Sequence, residues 1–490
     1  MTMGDHRSES LWLAITGGVM AGVAPAAAGP VTLIPSLALL WGLVDRPRFA
    51  ALWGLLAVLV SHRWILALHP LTWMGVPPLL SLPIAIAIWL ICGLAAAGLL
   101  AIWSSAARWC LASQPHQREQ PAFTSVLMLA LIWGLIEVGL ARGPLFWLGV
   151  GGSLLPLDPV LAGLSRWIGS GGLAAVMIIF GWGLHDLWRQ RLSLRRVLIW
   201  LGALLLAHGL GAVALSRVPS AQADLALAAW QPVIPTREKF SVEQQQRLPQ
   251  NLQRALVQAH ALDAQALVAP EGTLPSDWQG AVAGQQIPLL SGGFRRDDGG
   301  LRSSVLLLAP EAPRPLPLID KHRLVPLGES LPPLPPGLAR GLSAVGGLMP
   351  GEASRLQTGF SEPAAVAICY EISDGRSLAK AVAQGGQWLL TIANLDPYPD
   401  LLQRQFLALA QLRAMEVGRD LFSVANTGPT AVVDATGRVQ QLLLSGEEGV
   451  AAAMIQMRQG LTGYARWSEL PLLMLLTTGV VQRIVSRRGS

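Results

Sequence analysis

Seven apolar stretches crowd the first 215 residues, near 11–27, 30–44, 50–67, 80–103, 123–141, 168–187 and 197–215, and an eighth stands near 469–485. Crossing about 30 Å of hydrocarbon takes about 20 mostly apolar residues, because each helical residue rises only about 1.5 Å. Backbone amides cannot stay unpaired in lipid, so stretches of this length commit that part of the chain to helices. The composition agrees. Of the residues, 52% are hydrophobic and 13% charged, with a mean hydropathy of +0.46, against about a quarter charged in ordinary soluble domains. The distribution is uneven: residues 1–215 hold 14 of the 18 Trp, and together with the last 21 residues they hold 22 charged residues, whereas residues 216–469 hold 44. This break predicts a seven-helix membrane domain over 1–215, a water-facing domain over 216–468, and a closing helix with a short tail over 469–490.

The formal charge of +6 does not point to nucleic acid once it is divided. The apolar part carries 15 Lys and Arg against 7 Asp and Glu, and the water-facing part carries 21 against 23. The surplus therefore belongs to the spans and their loops, and no basic stripe is left to follow phosphates. It also orients the spans, since cytoplasmic loops collect Lys and Arg. With the N-terminus inside, twelve arginines fall on cytoplasmic segments (Arg7, Arg46, Arg48, Arg108, Arg118, Arg189, Arg191, Arg195, Arg196, Arg483, Arg487 and Arg488). Only Arg63, Arg142 and Arg166 fall on short outer loops. This bias predicts that residues 216–468 lie on the periplasmic side of a bacterial inner membrane. The first stretch, ending in Ala26-Ala27-Ala28, has the form of a cleavable signal. The six spans that follow favour a first transmembrane helix.

Of three cysteines, Cys92 and Cys110 lie in or beside a span, and Cys369 is alone in the water-facing domain. An unpaired thiol in an oxidising compartment is either buried and inert or kept for its chemistry. Its surroundings favour chemistry. Short apolar runs at 225–230, 267–269, 305–308, 364–368, 388–392 and 431–433 alternate with helical patterns at 242–261 and 401–417, which predicts a layered α/β domain. Three reactive residues follow such runs. Glu271 comes after Leu267-Val268-Ala269-Pro270, Lys321 after Ile319-Asp320, and Cys369 after Ala365-Val366-Ala367-Ile368. A carboxylate, an ammonium and a thiol can together perform acyl transfer: base, oxyanion partner and nucleophile. A free thiol titrates near about 8.5, and a neighbouring Lys⁺ is expected to favour the thiolate. Singly, each residue is as easily a loop charge, a surface lysine or a core cysteine.

The order Glu, Lys, Cys resembles the nitrilase superfamily, and the longer resemblance is to the apolipoprotein N-acyltransferase family. The family's K-x-x-L-V-P-F-G-E stands here as Lys321-His322-Arg323-Leu324-Val325-Pro326-Leu327-Gly328-Glu329, and its I-C-Y-E-I as Ile368-Cys369-Tyr370-Glu371-Ile372. Arg413-Ala414-Met415-Glu416, Asn426-Thr427-Gly428 and Tyr464-Ala465-Arg466 resemble its R-A-x-E, N-x-G and Y-x-R segments. Glu137, Arg142-Gly143 and Phe146-Trp147 are similar to its E…R-G…P-W span exit. The chain departs from the family at Ala269 and Ile319, where Trp and Tyr are usual. It departs also at Leu327, at Ser330 and in Gln231-Pro232-Val233-Ile234, which bears on pocket shape and acyl preference.

The resemblance implies about eight transmembrane helices with an αββα sandwich inserted before the last. It implies a two-step transfer. The sequence shows no metal-ligand cluster and no glycine-rich phosphate loop, so no cofactor is expected. Glu271 would deprotonate Cys369, the thiolate would take a fatty acyl group from a phospholipid, and the α-amine of a diacylglyceryl apolipoprotein would receive it. Lys321 and the backbone N–H of Tyr370 would hold the oxyanion, with Glu329 and Glu371 holding Lys321. Two other readings stand beside this one. One is a membrane-tethered amidase or nitrilase that gives its thioester to water. The other is a transporter or scaffold with a non-catalytic external domain, although no internal repeat is visible and Glu137 is the one carboxylate well inside a span. Glu137 is read equally as functional or as a partner of Arg142, and His208 as structural. The Pro- and Gly-rich run over 331–336 and 342–350 predicts a lid that dips into lipid.

Overall fold

The computed structural model describes residues 3–74, 76–112, 123–239, 241–326, 328–330, 347–396 and 398–488. Most of the predicted lid, residues 331–346, and Leu327 lie outside the described residues. A helix stands over each of the eight apolar stretches. They are α1 (Met3–Val23), α2 (Gly29–Trp41), α3 (Pro47–Ser61), α4 (Pro78–Ala112), α5 (Phe123–Ala141), α6 (Ser165–Arg189), α7 (Leu194–Ser216) and, at the end, α11 (Leu470–Arg488). Between α1 and α2 the helix is broken where Pro25 leaves the helical region and Ala26 and Gly29 take φ of 53°. Proline removes a helical N–H there, so the chain turns without a loop.

In lipid, helices gain little from hiding apolar side chains from each other and associate by close packing. The α5–α6 crossing shows this: a Cβ on Gly134 would lie 2.1 Å from the carbonyl oxygen of Gly171. One sequence reading changes here. Glu137 does not pair with Arg142; it accepts from the Trp133 indole at 2.9 Å and from the Val150 N–H at 2.8 Å. His208, read as structural, pairs with the Asp158 carboxylate at 3.0 Å.

The rest of the chain builds two six-stranded sheets. The first contains β1 (Ser220–Gln231), β2 (Ala266–Leu274), β3 (Leu289–Asp297), β4 (Gly300–Leu308), β5 (Leu316–Asp320) and β12 (Gly449–Gln459), ordered β12-β1-β2-β3-β4-β5. The second contains β6 (Leu356–Gln357), β7 (Ala364–Ile368), β8 (Trp388–Ala393), β9 (Leu421–Ala425), β10 (Thr430–Val433) and β11 (Val439–Leu443), ordered β11-β10-β9-β8-β7-β6. At the centre of each sheet the strands run parallel, β1-β2-β3 and β7-β8-β9, with antiparallel strands outside.

Alternate side chains of a strand face opposite ways, and this sets the layers. Val268 and Leu290 of the first sheet meet Val366, Leu390 and Phe422 of the second. Leu267 and Ala269 turn the other way, onto Leu252 and Leu256 of α8 (Val242–Ala261). Ala365 and Ala367 turn outward onto α9 (Gly375–Ala383) and α10 (Asp400–Val417). The result is an αββα sandwich. Its second helical layer continues without a gap into the apolar core of the membrane helices. Burial on both faces explains why β7 and β8 read as unbroken apolar runs and not as alternating ones.

Candidate active site

The three reactive residues converge at the same end of the two sheets. Glu271 does not lie beyond β2 as the sequence reading has it, but inside a bulge of it: pairing with β3 breaks after Ala269 and resumes at Leu274. Gly272 next to it takes φ of +67°, which glycine adopts without the steric cost of a Cβ. Lys321 follows the last residue of β5, and Cys369 follows the last of β7 at φ of 55°. A non-glycine residue in the left-handed region is strained by about 1–3 kcal/mol and persists only where its surroundings enforce it. Here the turn lifts the thiol out of the strand line and into a short 3-10 helix, Cys369–Ser373.

Lys321 is almost wholly buried and donates to two carboxylates at once, Glu271 Oε1 at 2.7 Å and Glu329 Oε1 at 2.7 Å. Burial works against its charge, but the two carboxylates outweigh burial, and the ammonium titrates well above the usual lysine range. Cys369 does the opposite. Burial pushes the thiol well up, Glu271 and Glu329 add to the rise, and Lys321 opposes it without prevailing. The expectation of a lysine-favoured thiolate is therefore corrected: burial, reinforced by two negative neighbours, outweighs one positive neighbour, and the resting sulfur is a thiol. Glu329, with its other oxygen on the Val325 N–H at 2.9 Å, is pushed up by burial against the pull of Lys321.

Glu371 holds Lys321 only indirectly. Its buried carboxylate accepts from the backbone N–H of His322 at 2.8 Å, Arg323 at 3.0 Å and Ile368 at 2.9 Å, and pairs with Arg355 at 2.9 Å. One carboxylate thereby ties the lysine-bearing segment to the cysteine-bearing strand. Tyr370 makes a second tie. Its hydroxyl donates to Leu324 O at 3.0 Å, and its ring lies under the Arg323 guanidinium, 4.7 Å from the centroid.

Beside the trio is a cavity of about 130 Å³, lined also by Lys239, Asn394 and Tyr398. Tyr398 leads away from it into the membrane helices: its ring stands 5.7 Å from Trp64, Trp64 stands 5.9 Å from His62, and His62 stands 5.7 Å from Trp147. His62 and Trp147 in turn line a second, mostly apolar cavity of about 120 Å³ among α1, α3, α4 and α5. The segment after α5 reaches up to the cysteine turn, with the Trp147 N–H donating to Ser373 Oγ at 3.3 Å and Arg323 donating to Gly143 O. Among the described residues no group of three or more His, Cys, Asp or Glu converges as a metal site.

Residues 237–461 match the carbon-nitrogen hydrolase family. Over 471 residues, 95% of this chain and 100% of the relative, the sequence is 63% identical to the apolipoprotein N-acyltransferase of Parasynechococcus marenigrum strain WH8102. This chain belongs to the apolipoprotein N-acyltransferase family. A second relative, from Prochlorococcus marinus strain MIT 9313, is 54% identical over 99% of this chain and 98% of its own. The protein is thus an acyltransferase with a carbon-nitrogen hydrolase domain beside a bundle of long apolar helices.

Around the predicted residues of this acyltransferase stand others that sequence reasoning missed. Lys239 donates to the main-chain oxygen of Glu271 at 2.6 Å, and burial lowers its ammonium to about 8. The Asn394 N–H donates to Glu271 Oε2 at 3.2 Å, and the Asn394 side chain is fixed by Thr236 at 2.8 Å and Asn426 at 2.7 Å. Arg355 is the third. The signal for Asn394 was its place just after a buried strand; Lys239 and Arg355 stand in loops with nothing around them to distinguish them.

Proposed function

We propose that the enzyme moves a fatty acyl group from a membrane phospholipid, through a thioester on Cys369, to the α-amine of a diacylglyceryl apolipoprotein. Glu271, Lys321, Cys369 and the backbone N–H of Tyr370 act on the reacting atoms; Glu329, Glu371 and the Tyr370 side chain position them. Glu271 takes the thiol proton as Sγ attacks the ester carbonyl, since the resting sulfur is protonated and a base within hydrogen-bonding reach is needed. Lys321 stays charged and, with the backbone N–H of Tyr370, meets the oxyanion. The ester C–O bond breaks, Glu271 returns the proton to the departing lysophospholipid, and the acyl thioester is left. In the second half the amine attacks that thioester, Glu271 takes the amine proton, and as the C–S bond breaks Glu271 passes that proton to Sγ, restoring the thiol and the free carboxylate.

The observation that carries this reading is the position of the thiol. Cys369 and Tyr398 pack against the same apolar cluster that fills the membrane helices, while Glu271, Lys321 and Glu329 line the same pocket with charge. A fatty chain can thus stay in apolar surroundings while its carbonyl meets polar groups. The arginine bias supports a catalytic domain over 216–468 on the periplasmic side of the inner membrane.

The test is mass spectrometry of intact protein after mixing with phospholipid. A fatty acyl mass on Cys369, passed on to a diacylglyceryl peptide, is the expected result, and Cys369→Ala removes both. Release of free fatty acid with no acylated peptide would instead indicate a hydrolase.

A further inference from the structure

At the end of the bundle remote from the thiol, α6 and α7 enclose with the start of α5 a groove of about 650 Å³ that acyl transfer does not use. Its walls are aromatic. Trp182 and Trp200 meet at 5.6 Å, with Phe123 at 6.1 Å from Trp182 and Phe180 at 6.4 Å from Trp200. Along α6 it extends from Val176 to Asp186, a rise of about 15 Å at about 1.5 Å per residue, which is half of a hydrocarbon core about 30 Å thick. Its mouth is cationic. Arg196 pairs with Asp186, and Arg195, exposed at the same mouth, has no carboxylate partner among the described residues. Arg189 and Arg191 stand in the adjoining turn, so that four arginines face one aspartate. The outer face of α7 beside the groove exposes Leu198, Ile199, Leu201, Leu205 and Leu206, as a lipid-facing helix does.

We propose that this groove is a binding site for an anionic phospholipid, with one acyl chain between α6 and α7 and the phosphate on Arg195. A single-leaflet depth matches one lipid chain. A partner helix would cover the full thickness and leave the unpaired arginine at one end without a role. The aromatic walls are rigid and hold a chain at small entropic cost, and the arginine stands where headgroups lie. Because α7 continues directly into β1 of the catalytic domain, a lipid held here braces the helix that carries that domain.

The test uses delipidated full-length protein in neutral detergent and ether-linked lipids, which cannot donate an acyl group. Native mass spectrometry should find one phosphatidylglycerol retained at least fivefold more tightly than phosphatidylcholine with the same chains. Arg195→Gln should weaken phosphatidylglycerol about fivefold, the ratio expected for one charge near a membrane surface, and leave phosphatidylcholine unchanged. Ala203→Trp, which fills the groove, should weaken both at least tenfold while acyl transfer shows that the protein remains folded. Equal retention of the two lipids, glycerol 3-phosphate binding as tightly as the lipid, or an Ala203→Trp variant that retains phosphatidylglycerol normally would each overturn the proposal.

Discussion

Lys321 and Cys369 carry opposite lessons about burial. Both are taken out of water, yet the lysine stays charged, because two carboxylates outweigh its burial, while the thiol stays neutral, because burial and the same carboxylates act in one direction. For the lysine the neighbours overturn what burial alone would do; for the thiol burial acts first and the carboxylates add to it. This leads to a prediction about reagents. An ordinary thiol, titrating near about 8.5, reaches its full alkylation rate by about pH 9.5. Labelling of Cys369 by iodoacetamide should still be climbing between about pH 9 and 10. Glu271→Gln removes one of the negative neighbours, so the thiol titrates lower. The variant should label faster at neutral pH while forming no thioester for want of a base. Slower labelling in that variant would contradict the electrostatic picture.

Single elements show why some of the fold was legible and some not. Most span helices announce themselves by length and apolar composition; α3 and α11 are shorter as apolar helices. Helix α10 is harder to read, because 15 of its 18 residues are buried, one side against the second sheet and the other against the membrane helices. A helix covered all round has no polar stripe to reveal which way it faces. The apolar run at 267–269 stops short of Glu271, yet strand β2 continues to Leu274 through a bulge that contains Glu271. The α5–α6 crossing is an element-scale joint where backbone meets backbone, and neither side can yield. Gly171→Leu should therefore destabilise the protein by about 3 kcal/mol, the upper end of the range for overpacking, visible as a lower unfolding temperature in detergent. The same change at Gly98, whose Cβ would meet nothing within 4 Å, should leave that temperature close to the parent's.

At the scale of the whole molecule, the membrane bundle and the sandwich are joined by buried charges. Arg166 at the start of α6, which the charge count placed on an outer loop, is only 2% exposed. It donates to Ala214 O at 2.9 Å, Arg217 O at 3.2 Å and Met415 O at 3.3 Å, and to Ala435 O, so one side chain holds the end of α7 and two parts of the catalytic domain. Beside it Glu416, itself paired with Arg413, accepts from the Ser170 N–H at 2.7 Å. Replacing Arg166 with Met leaves several buried carbonyls without a donor, at about 1–3 kcal/mol each. Trypsin should then cut after Arg217 at least tenfold faster than in the parent, with acyl transfer lost in parallel. Unchanged cleavage would show that the joint is held elsewhere.

The sequence by itself determined the helices and the chemistry. Twenty apolar residues in a row leave lipid-soluble helix as the outcome, and Glu271, Lys321 and Cys369 stand in motifs whose residue types suit acyl transfer. What only the tertiary structure decided was the state and support of those groups. The protonated thiol, the doubly paired ammonium, and the ties made by Glu371, Lys239 and Asn394 arise from contacts between residues far apart in the chain. Electrostatic energy depends on distance through space and on exclusion of water, and neither is written in the order of the residues.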